Sequence, residues 1–288
     1  MKRVILSFAC IAFFLSGCNQ EPVDLDQERQ VVIYFSPKPS AYLLKSSATD
    51  DEKEILKIAI FGVEGQNIIK KFDVIDNPSL DGELLTISRR VTSLYAIANL
   101  DVDAATLSTV SDLTSLTGSF LSSPAKPFLM SGIATDLNRT AKTVSIDLVR
   151  AVAKVQIIGE EFEIETVTVK NTPNMGYVFG KIPWEIPTTT TRINYSSVAY
   201  DADKALYVAE NVSTNATVFE VTGKYLGKTA IYPIVLKKGT NNIDILRNTH
   251  YTVTITAITE DEFTIELNIL DWEEEETDTH EIPDSAFQ

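Results

Sequence analysis

The residue whose setting most directly predicts a chemical reaction is Cys18, near the start of the chain. It follows a basic pair at residues 2–3, an apolar stretch at residues 4–15, and the small residues Ser16 and Gly17. This order is typical of an export signal, and the apolar stretch is too short to span a bilayer as a helix. The Cys18 thiol would then be the nucleophile that takes up diacylglycerol before cleavage. We predict a lipoprotein signal at residues 1–18 and acyl chains, palmitoyl among them, that hold Cys18 in the outer membrane. A plain secretory signal is the alternative, and it too would export the chain.

Side chains that could form a catalytic or metal site are few and scattered. The two histidines, His250 and His280, lie at a strand entrance and in an acidic tail, so no Ser/His/Asp or Cys/His set can be assembled. We expect His250 to pack or to hydrogen-bond where the final hairpin begins. The Asp-x-Asp pairs at residues 101–103 and 201–203 lack the Gly and the distant Glu of a calcium-binding loop. The sequence therefore predicts no enzyme, no cofactor and no metal ion.

Composition limits the class of protein further. The chain has 288 residues, 44% of them hydrophobic, which is enough for one large domain or two of ordinary size. The formal net charge is −15, which argues against binding to nucleic acid or to an anionic lipid surface. The other cysteine, Cys10, lies in the predicted signal, so we expect no internal disulfide bond.

Short β-branched and aromatic runs separated by turn residues recur along the chain, and this pattern predicts strands. The first consists of Val31, Val32, Ile33, Tyr34 and Phe35 and ends at a Ser-Pro-Lys-Pro break. Later runs lie at residues 56–61, 68–74, 84–88, 91–98, 128–133, 143–148, 151–158, 164–169, 205–208, 217–225, 229–236, 251–256 and 263–270.

Two stretches interrupt the strands. Residues 103–121 space their apolar side chains as a helix does, and residues 171–191, rich in Pro, Gly and Thr, are expected to form a long loop across the surface. The whole pattern predicts a mainly β chain with two sandwich domains, at residues 19–149 and 150–288, and a short helical segment in the first.

Both ends of the predicted export product are polar. Residues 19–30 are acidic and are expected to tether the first domain to the membrane. After the first strand, Lys45 precedes Ser46 in a polar stretch that would be open to a trypsin-like protease. Residues 273–276 are four glutamates, which indicates a solvated charge run, and residues 281–288 follow as the last segment of the sequence.

Several of these stretches, taken in order, resemble the fimbrillins, subunits of the type V pili of Bacteroidetes. The likeness runs over nearly the whole chain. It is carried by residues 15–18, 31–35 before Lys45, 56–61, 95–99, 150–155, 206–211, 245–256 and 267–272.

This resemblance implies two domains of transthyretin-like, Greek-key topology and a lipidated precursor at the outer membrane. It also implies that an Arg- or Lys-specific protease removes the lipid together with the first strand. A neighbouring copy, or a related pilus subunit, would then supply its C-terminal segment in place of that strand. In this chain the removable strand would be residues 31–35 and the cleaved bond would be Lys45–Ser46. The donor segment would be residues 281–288, in which Ile282, Ala286 and Phe287 could fill pockets.

Alternatives to a shaft subunit remain open at this point. Pro283 lacks the N–H that a donor strand uses, so an anchor or tip subunit is also consistent with the sequence. A surface lipoprotein that never polymerises and instead captures a glycan or a protein of the host surface is a further hypothesis. In that case Trp184 or Trp272 could stack on a sugar, although a tryptophan in a core or at its rim is more common.

Overall fold

The computed structural model describes residues 25–37, 48–79, 81–120, 124–160, 162–181, 185–197, 200–201, 205–258 and 263–271. The strands of the first half are β1 (Glu28–Pro37), β2 (Lys57–Glu64), β3 (Asn67–Lys71), β4 (Ile75–Asp76), β5 (Glu83–Ser88), β6 (Ser93–Ala98), β7 (Thr117–Ser119), β8 (Met130–Ala134) and β9 (Thr143–Arg150). Those of the second half are β10 (Val152–Gly159), β11 (Glu163–Pro173), β12 (Met175–Tyr177), β13 (Arg192–Ser197), β14 (Leu206–Ala209), β15 (Val218–Tyr225), β16 (Lys228–Ile234), β17 (Lys237–Lys238), β18 (Asn241–Asn242), β19 (Thr249–Ile258) and β20 (Phe263–Asp271). The helical segments are α1 (Val110–Ser115) and the 3-10 turns Asp50–Glu52, Ala104–Thr106 and Ser213–Asn215.

The first half forms one sheet that packs against itself, which we call the N-terminal sandwich. Its strand order is β3-β2-β6-β8-β9-β1-β5, with β4 added to β2. Apolar residues of β1, β5 and β9 share one core with those of β2, β6 and β8, because alternate residues of each strand point inward. The buried members include Val31, Ile33, Ile58, Ile60, Ile87, Leu94, Met130 and Ile146.

The second half forms two four-stranded sheets, which we call the C-terminal sandwich. One has the order β14-β10-β19-β20 and the other β13-β11-β15-β16. Their inward side chains, such as Ile157, Phe219 and Val253, form a separate core. Within it the buried Tyr200 hydroxyl accepts a hydrogen bond of 2.7 Å from the Ile157 backbone N–H.

The stretch expected to be a long surface loop, residues 171–191, is instead partly buried. Its start completes β11, β12 pairs antiparallel with β7, and Val178 and Phe179 pack on the outer face of β2 and β6. The expectation was wrong because that outer face is itself apolar, with Phe61, Val63 and Ile97 pointing away from the first core, and it has to be covered.

The helix expected over residues 103–121 is reduced to α1, six residues long. A 3-10 turn precedes it, and the residues after it form β7 and pair with β12. Serine and threonine have low helix propensity, so that pairing decides the conformation of the last part. The mainly β fold with a short helical segment in its first part is confirmed, and the predicted strands correspond to observed ones. The division into residues 19–149 and 150–288 stays a prediction. In the part of the chain described above, no helix has the length and apolar character needed to cross a membrane.

Candidate functional site

The strand predicted to be removable, β1, lies in the interior of its sheet. It runs parallel to β9, with Val32 opposite Thr143 and Pro37 opposite Leu148. On its other side it runs antiparallel to β5, with Glu28 opposite Ser88 and Ile33 opposite Glu83. Both sides of its backbone therefore contribute to the sheet, so the strand is a structural component and not an appendage.

The side chains of β1 alternate between the core and the outer face. Val31 and Ile33 are fully buried and Phe35 is 3% exposed, whereas Tyr34 on the outer face is 39% exposed. Burial of three such apolar side chains contributes about 5–9 kcal/mol to the stability of the folded chain. The sequence predicted this strand because β-branched and aromatic residues fit a half-buried pleated surface.

The outer face of β1 is covered at one point by the turn before β5. Gly82 has φ +110°, and a Cβ atom there would lie 2.5 Å from Cγ1 of Val32 and 3.1 Å from the ring of Tyr34. Both the backbone conformation and the close approach thus require glycine. Gly82 lets the turn lie directly on the strand.

Loss of β1 would open a groove with apolar walls. Leu85 and Ile87 would line its β5 side, and Val144, Ile146 and Leu148 its β9 side, since all of these contact the core that β1 completes. Among the described residues, β5 pairs with no strand except β1. The groove would also expose the unpaired backbone groups of two strands, and such groups readily accept another strand.

A basic cluster lies where β1 begins. We call it the basic end and define it as Arg89, Arg90, Arg139 and Lys142. The backbone N–H of Arg89 donates to the Gln27 carbonyl at 3.0 Å, and the backbone N–H of Val32 donates to the Lys142 carbonyl at 2.9 Å. Arg89 and Lys142 of the basic end are therefore in direct contact with the start of the strand.

Arg29 of β1 points into the basic end. One of its guanidinium nitrogens, Nη1, donates to the Ala141 carbonyl, while its Nε and Nη2 atoms are buried without a hydrogen-bond partner among the described residues. Nε of Arg89 is likewise buried without a partner in the same set. Burial, and after it the positive charge of Arg89, lowers the pKa of Arg29. At the start of β1, the positive charges of Arg29 and Arg89 therefore repel each other.

A second cluster of charges fixes the segment that follows β1 in the chain. We call it the anchor cluster and define it as Glu52, Arg150, Lys154 and Tyr207. The Tyr207 hydroxyl donates to Oε1 of Glu52 at 2.5 Å, and Nζ of Lys154 lies 3.3 Å from the same oxygen. Nε of Arg150 donates to the Glu52 backbone carbonyl at 2.9 Å. The turn Asp50–Glu52 is thus bonded to the end of β9 and to β10 and β14 of the C-terminal sandwich.

The anchor cluster is almost entirely removed from water. Glu52 is 1% exposed and Arg150 is fully buried, and Nη1 of Arg150 also donates to Oδ1 of Asn248 at 3.0 Å. Burial, together with the hydrogen bond to Glu52, raises the pKa of the Tyr207 hydroxyl. Since buried charges are tolerated only when they are paired, these contacts hold the Asp50–Glu52 turn in one position.

A cleft of about 630 Å³ lies where β8 and β9 of the N-terminal sandwich meet loops of the C-terminal sandwich. Ile133, Phe179 and Leu246 form part of its lining, with Arg247 beside them. Nη2 of Arg247 donates to Oε2 of the buried Glu210 at 2.6 Å. Because this ion pair neutralises the charge of Arg247, the cleft is mainly apolar.

The predicted site residues differ in whether they can be placed. Val31, Val32, Ile33, Tyr34 and Phe35 all lie in β1. Residues that lie outside the described part of the chain are Cys18, Lys45, Ser46, Trp184, Trp272, His280, Ile282, Ala286 and Phe287. Their predicted roles therefore stay predictions.

Among the acidic and histidine side chains considered for chemistry, Asp101, Asp103 and His250 have structural positions, whereas Asp203 and His280 lie outside the described residues. Asp101 pairs with Lys57, and Asp103 accepts a hydrogen bond from the Ala105 backbone N–H at the start of a 3-10 turn. His250 is buried in β19, opposite Lys154 of β10. In the residues that the structure describes, no three His, Cys, Asp or Glu side chains are close enough together to hold a metal ion.

Sequence reasoning missed both charged clusters. Lys154 lies inside an apolar strand run, and Glu52 lies in an acidic stretch that resembles ordinary surface sequence. A charged residue within an apolar run is a signal of a buried ion pair, because an unpaired charge would not be tolerated there. The partner could not have been inferred, since Glu52 and Lys154 are far apart in the chain.

Comparison with solved structures identifies the fold. The tip fimbrial protein Mfa3 from Porphyromonas gingivalis, with a C-terminal truncation, superposes with a TM-score of 0.61 at 13% identity over 85% of this chain and 100% of that one. The chain has the fold of fimbrial proteins. A fimbrial assembly protein from Parabacteroides distasonis gives a TM-score of 0.57 at 12% identity over 85% and 96% of the two chains. The fimbrilin FimA from P. gingivalis W83 gives 0.55 at 12% identity over 83% and 96%.

The resemblance to fimbrillins is therefore confirmed at the level of the fold. No family profile matches the sequence, and no curated protein matches it. At 12–13% identity the sequences have diverged almost completely, while the arrangement of strands has been kept. Each of the three likenesses spans nearly the full length of the fimbrial protein compared.

Proposed function

We propose that this chain is a structural subunit of a pilus that supports adhesion at the cell surface. It is exported as a lipoprotein precursor held in the outer membrane through Cys18, and a Lys- or Arg-specific protease cuts it at Lys45–Ser46. Cleavage releases the lipid and β1 together. The C-terminal donor segment of another copy, or of a related pilus subunit, then fills the groove by β-strand addition.

The observation that carries this proposal is the position of β1. It is an interior strand with its apolar side chains in the core, yet it is the first of the described strands and leads back toward the predicted lipid site. A strand that completes the core while the chain is anchored, and whose loss leaves a fitted groove, suits a subunit that becomes adhesive only after processing. The likeness of the fold to a fimbrilin and a tip fimbrial protein supports the same function.

The anchor cluster supports the proposed order of events. Residues 38–47, in which the predicted cut lies, separate β1 from the Asp50–Glu52 turn. Because that turn is held by Lys154 and Tyr207 of the C-terminal sandwich and by Arg150 of β9, the new N-terminus formed at Ser46 would stay bound to the rest of the fold while β1 departs. The remainder of the fold would keep its shape and leave the groove open.

The alternative is a surface lipoprotein that does not polymerise, either an anchor subunit or a module that binds a glycan or a protein. The apolar cleft beside Ile133, Phe179 and Leu246 is the observation that favours a binding module. An anchor would keep β1 and its lipid, and its groove would stay filled.

The N-terminus and mass of the protein recovered from the cell surface test the proposal. We expect a chain that begins at Ser46 and polymers of that chain, with Lys45→Ala giving a lipidated monomer that begins at Cys18. A Lys45→Arg variant is the matched control, since it keeps the positive charge that the protease would recognise.

A chain that begins at acylated Cys18 in the wild type would contradict the proposal and favour the alternative. Deletion of residues 278–288 gives a second test. We expect it to abolish polymers while the monomer keeps its thermal unfolding transition. Unchanged polymerisation would remove the donor role from this segment.

A further inference from the structure

Charge is distributed unevenly along the groove that β1 occupies. The basic end lies beside the first residues of the strand. Toward the other end of β1, the nearest acidic residues are Glu83, opposite Ile33, and Asp147, opposite Ser36, with Asp81 in the turn before β5. In a chain of net charge −15 a basic cluster at one end of a groove is a strong local feature.

Part of the basic end has no acidic partner in the described part of the chain. Arg90 pairs with Glu64 at 2.6 Å and lies 3.6 Å from Asp26. The positive charge of Arg139 also acts on Glu64 and helps to lower its pKa. Within the described ranges Arg89 and Lys142 form no ion pair. Asp26 and Glu28, the acidic residues nearest the start of β1, would depart with the strand. The cluster would therefore become more positive when β1 is removed.

In the uncleaved chain, the positive charge of the basic end lies next to another positive charge, that of Arg29. Arg29 of β1 faces Arg89, and both carry guanidinium nitrogens that are buried without partners among the residues placed by the structure. An unsatisfied buried donor costs free energy, and two neighbouring cations repel each other. The start of β1 is thus the least favourable part of an otherwise well-packed strand.

We infer that the basic end is the recognition site for the acidic run at residues 273–278 of a second copy of this chain. This inference rests on the proposed function, because it places the acidic run on a groove that processing has opened. The run contains Glu273, Glu274, Glu275, Glu276 and Asp278 and directly precedes the donor segment. Its carboxylates take the place of Arg29 and pair with Arg89, Arg139 and Lys142.

This pairing fixes the direction of the incoming strand. With the acidic run at the basic end, residues 281–288 continue along the groove in the direction of β1, parallel to β9 and antiparallel to β5. The opposite direction would bring four glutamates beside Asp81, Glu83 and Asp147, where like charges repel. Electrostatic interactions therefore select one direction for the donor segment, and they favour the donor segment over β1.

A charge-exchange experiment with the full chain tests the inference. The chain is processed by a Lys-specific protease, and polymer growth is followed by light scattering and electron microscopy at low and high salt. Arg89→Glu with Arg139→Glu reverses the basic end, and Glu274→Arg with Glu275→Arg reverses the acidic run. None of these changes adds or removes a lysine, so cleavage is unaffected.

We expect each reversed pair to slow polymer growth about ten-fold at low salt, and the four changes together to restore growth to within about three-fold of the wild type. The wild-type rate should fall as salt is added. Glu185→Arg, an exposed reversal that leaves every lysine in place, is the matched control and should leave the rate unchanged. The uncleaved Arg89→Glu chain should have a raised Tm, because Arg29 gains a partner.

Two results would overturn the inference while leaving the proposed function in place. One is equal growth of all variants at every salt concentration. The other is slow polymer growth of both reversed pairs that is not restored when the four changes are combined. That result would mean that the changes impair folding or that the incoming strand binds in the opposite direction. If the processed wild type forms no polymers, the proposed function itself is wrong and the inference falls with it.

Discussion

At the scale of single residues, the anchor cluster shows how a buried carboxylate can be tolerated. Glu52 accepts hydrogen bonds from the Tyr207 hydroxyl and from the Thr49 backbone N–H, the latter at 2.8 Å, while Lys154 supplies the compensating charge. Removal of a charge from water costs several kcal/mol, and only such a full set of partners offsets it. The anchor cluster therefore fixes the position of the Asp50–Glu52 turn and is not a general source of stability.

We predict that Glu52→Gln lowers the free energy of unfolding of the full chain by about 3–5 kcal/mol, because Lys154 and Tyr207 then lose their contacts with a buried carboxylate. Urea denaturation followed by circular dichroism measures this. Asp50→Asn, an exposed change in the same 3-10 turn, is the control and should change stability by less than about 0.5 kcal/mol. A loss below about 1 kcal/mol in Glu52→Gln would mean that the anchor cluster does not hold the turn.

The sequence predicts such residues only in part. Lys154 can be recognised as unusual because it interrupts an apolar run, whereas Arg29 lies within β1 although it precedes the predicted strand at residues 31–35. The register of β1 and β5 pairs Arg29 with Ile87, which brings Arg89, two residues further along, close to Arg29, and no local pattern specifies that register. Topology determines which residues about a hundred positions apart come into contact, so such charged contacts can be identified only in the folded structure.

At the scale of elements, β1 was the most predictable strand because five β-branched or aromatic residues stand together before a Ser-Pro break. Its neighbours were not predictable. A parallel partner from residues 143–150 and an antiparallel partner from residues 83–88 depend on how the whole sheet closes. The helix expected over residues 103–121 failed for a related reason, since β7 gains a ladder with β12 that a weak helix former cannot match.

We predict that Ile33→Ala destabilises the uncleaved chain but does not affect the polymerisation of the processed chain. In the uncleaved chain it should lower the free energy of unfolding by about 2–5 kcal/mol, because it leaves a cavity in a fully buried site. Once the chain has been cleaved at Lys45, the same variant should polymerise at the wild-type rate, because the altered strand has left.

Chemical denaturation of the precursor and light scattering of the processed chain measure these two effects. Tyr34→Ala is the matched control, since its side chain lies on the outer face and its loss should cost less. If Ile33→Ala changes the growth of processed polymers, then β1 stays in the assembled subunit.

At the scale of the whole molecule, the two sandwiches are joined by more than a linker. The β7–β12 ladder crosses from one to the other, and the Val178 backbone N–H donates to the Leu116 carbonyl at 2.8 Å. Phe179 packs edge-on against Tyr95 with ring centroids 5.4 Å apart, on the outer face of the N-terminal sandwich. These contacts hold the two halves together.

The last prediction concerns this connection. Phe179 is 4% exposed, so Phe179→Ala should lower the free energy of unfolding by about 3–5 kcal/mol. Because the lost contacts join the two sandwiches, we also expect one calorimetric transition in the wild type and two in the variant. Leu226→Ala, which shortens a side chain that is 83% exposed at a hairpin tip, is the control and should change neither. If Phe179→Ala keeps one transition, the sandwiches are coupled chiefly by the anchor cluster, and Glu52→Gln should then be the variant that separates them.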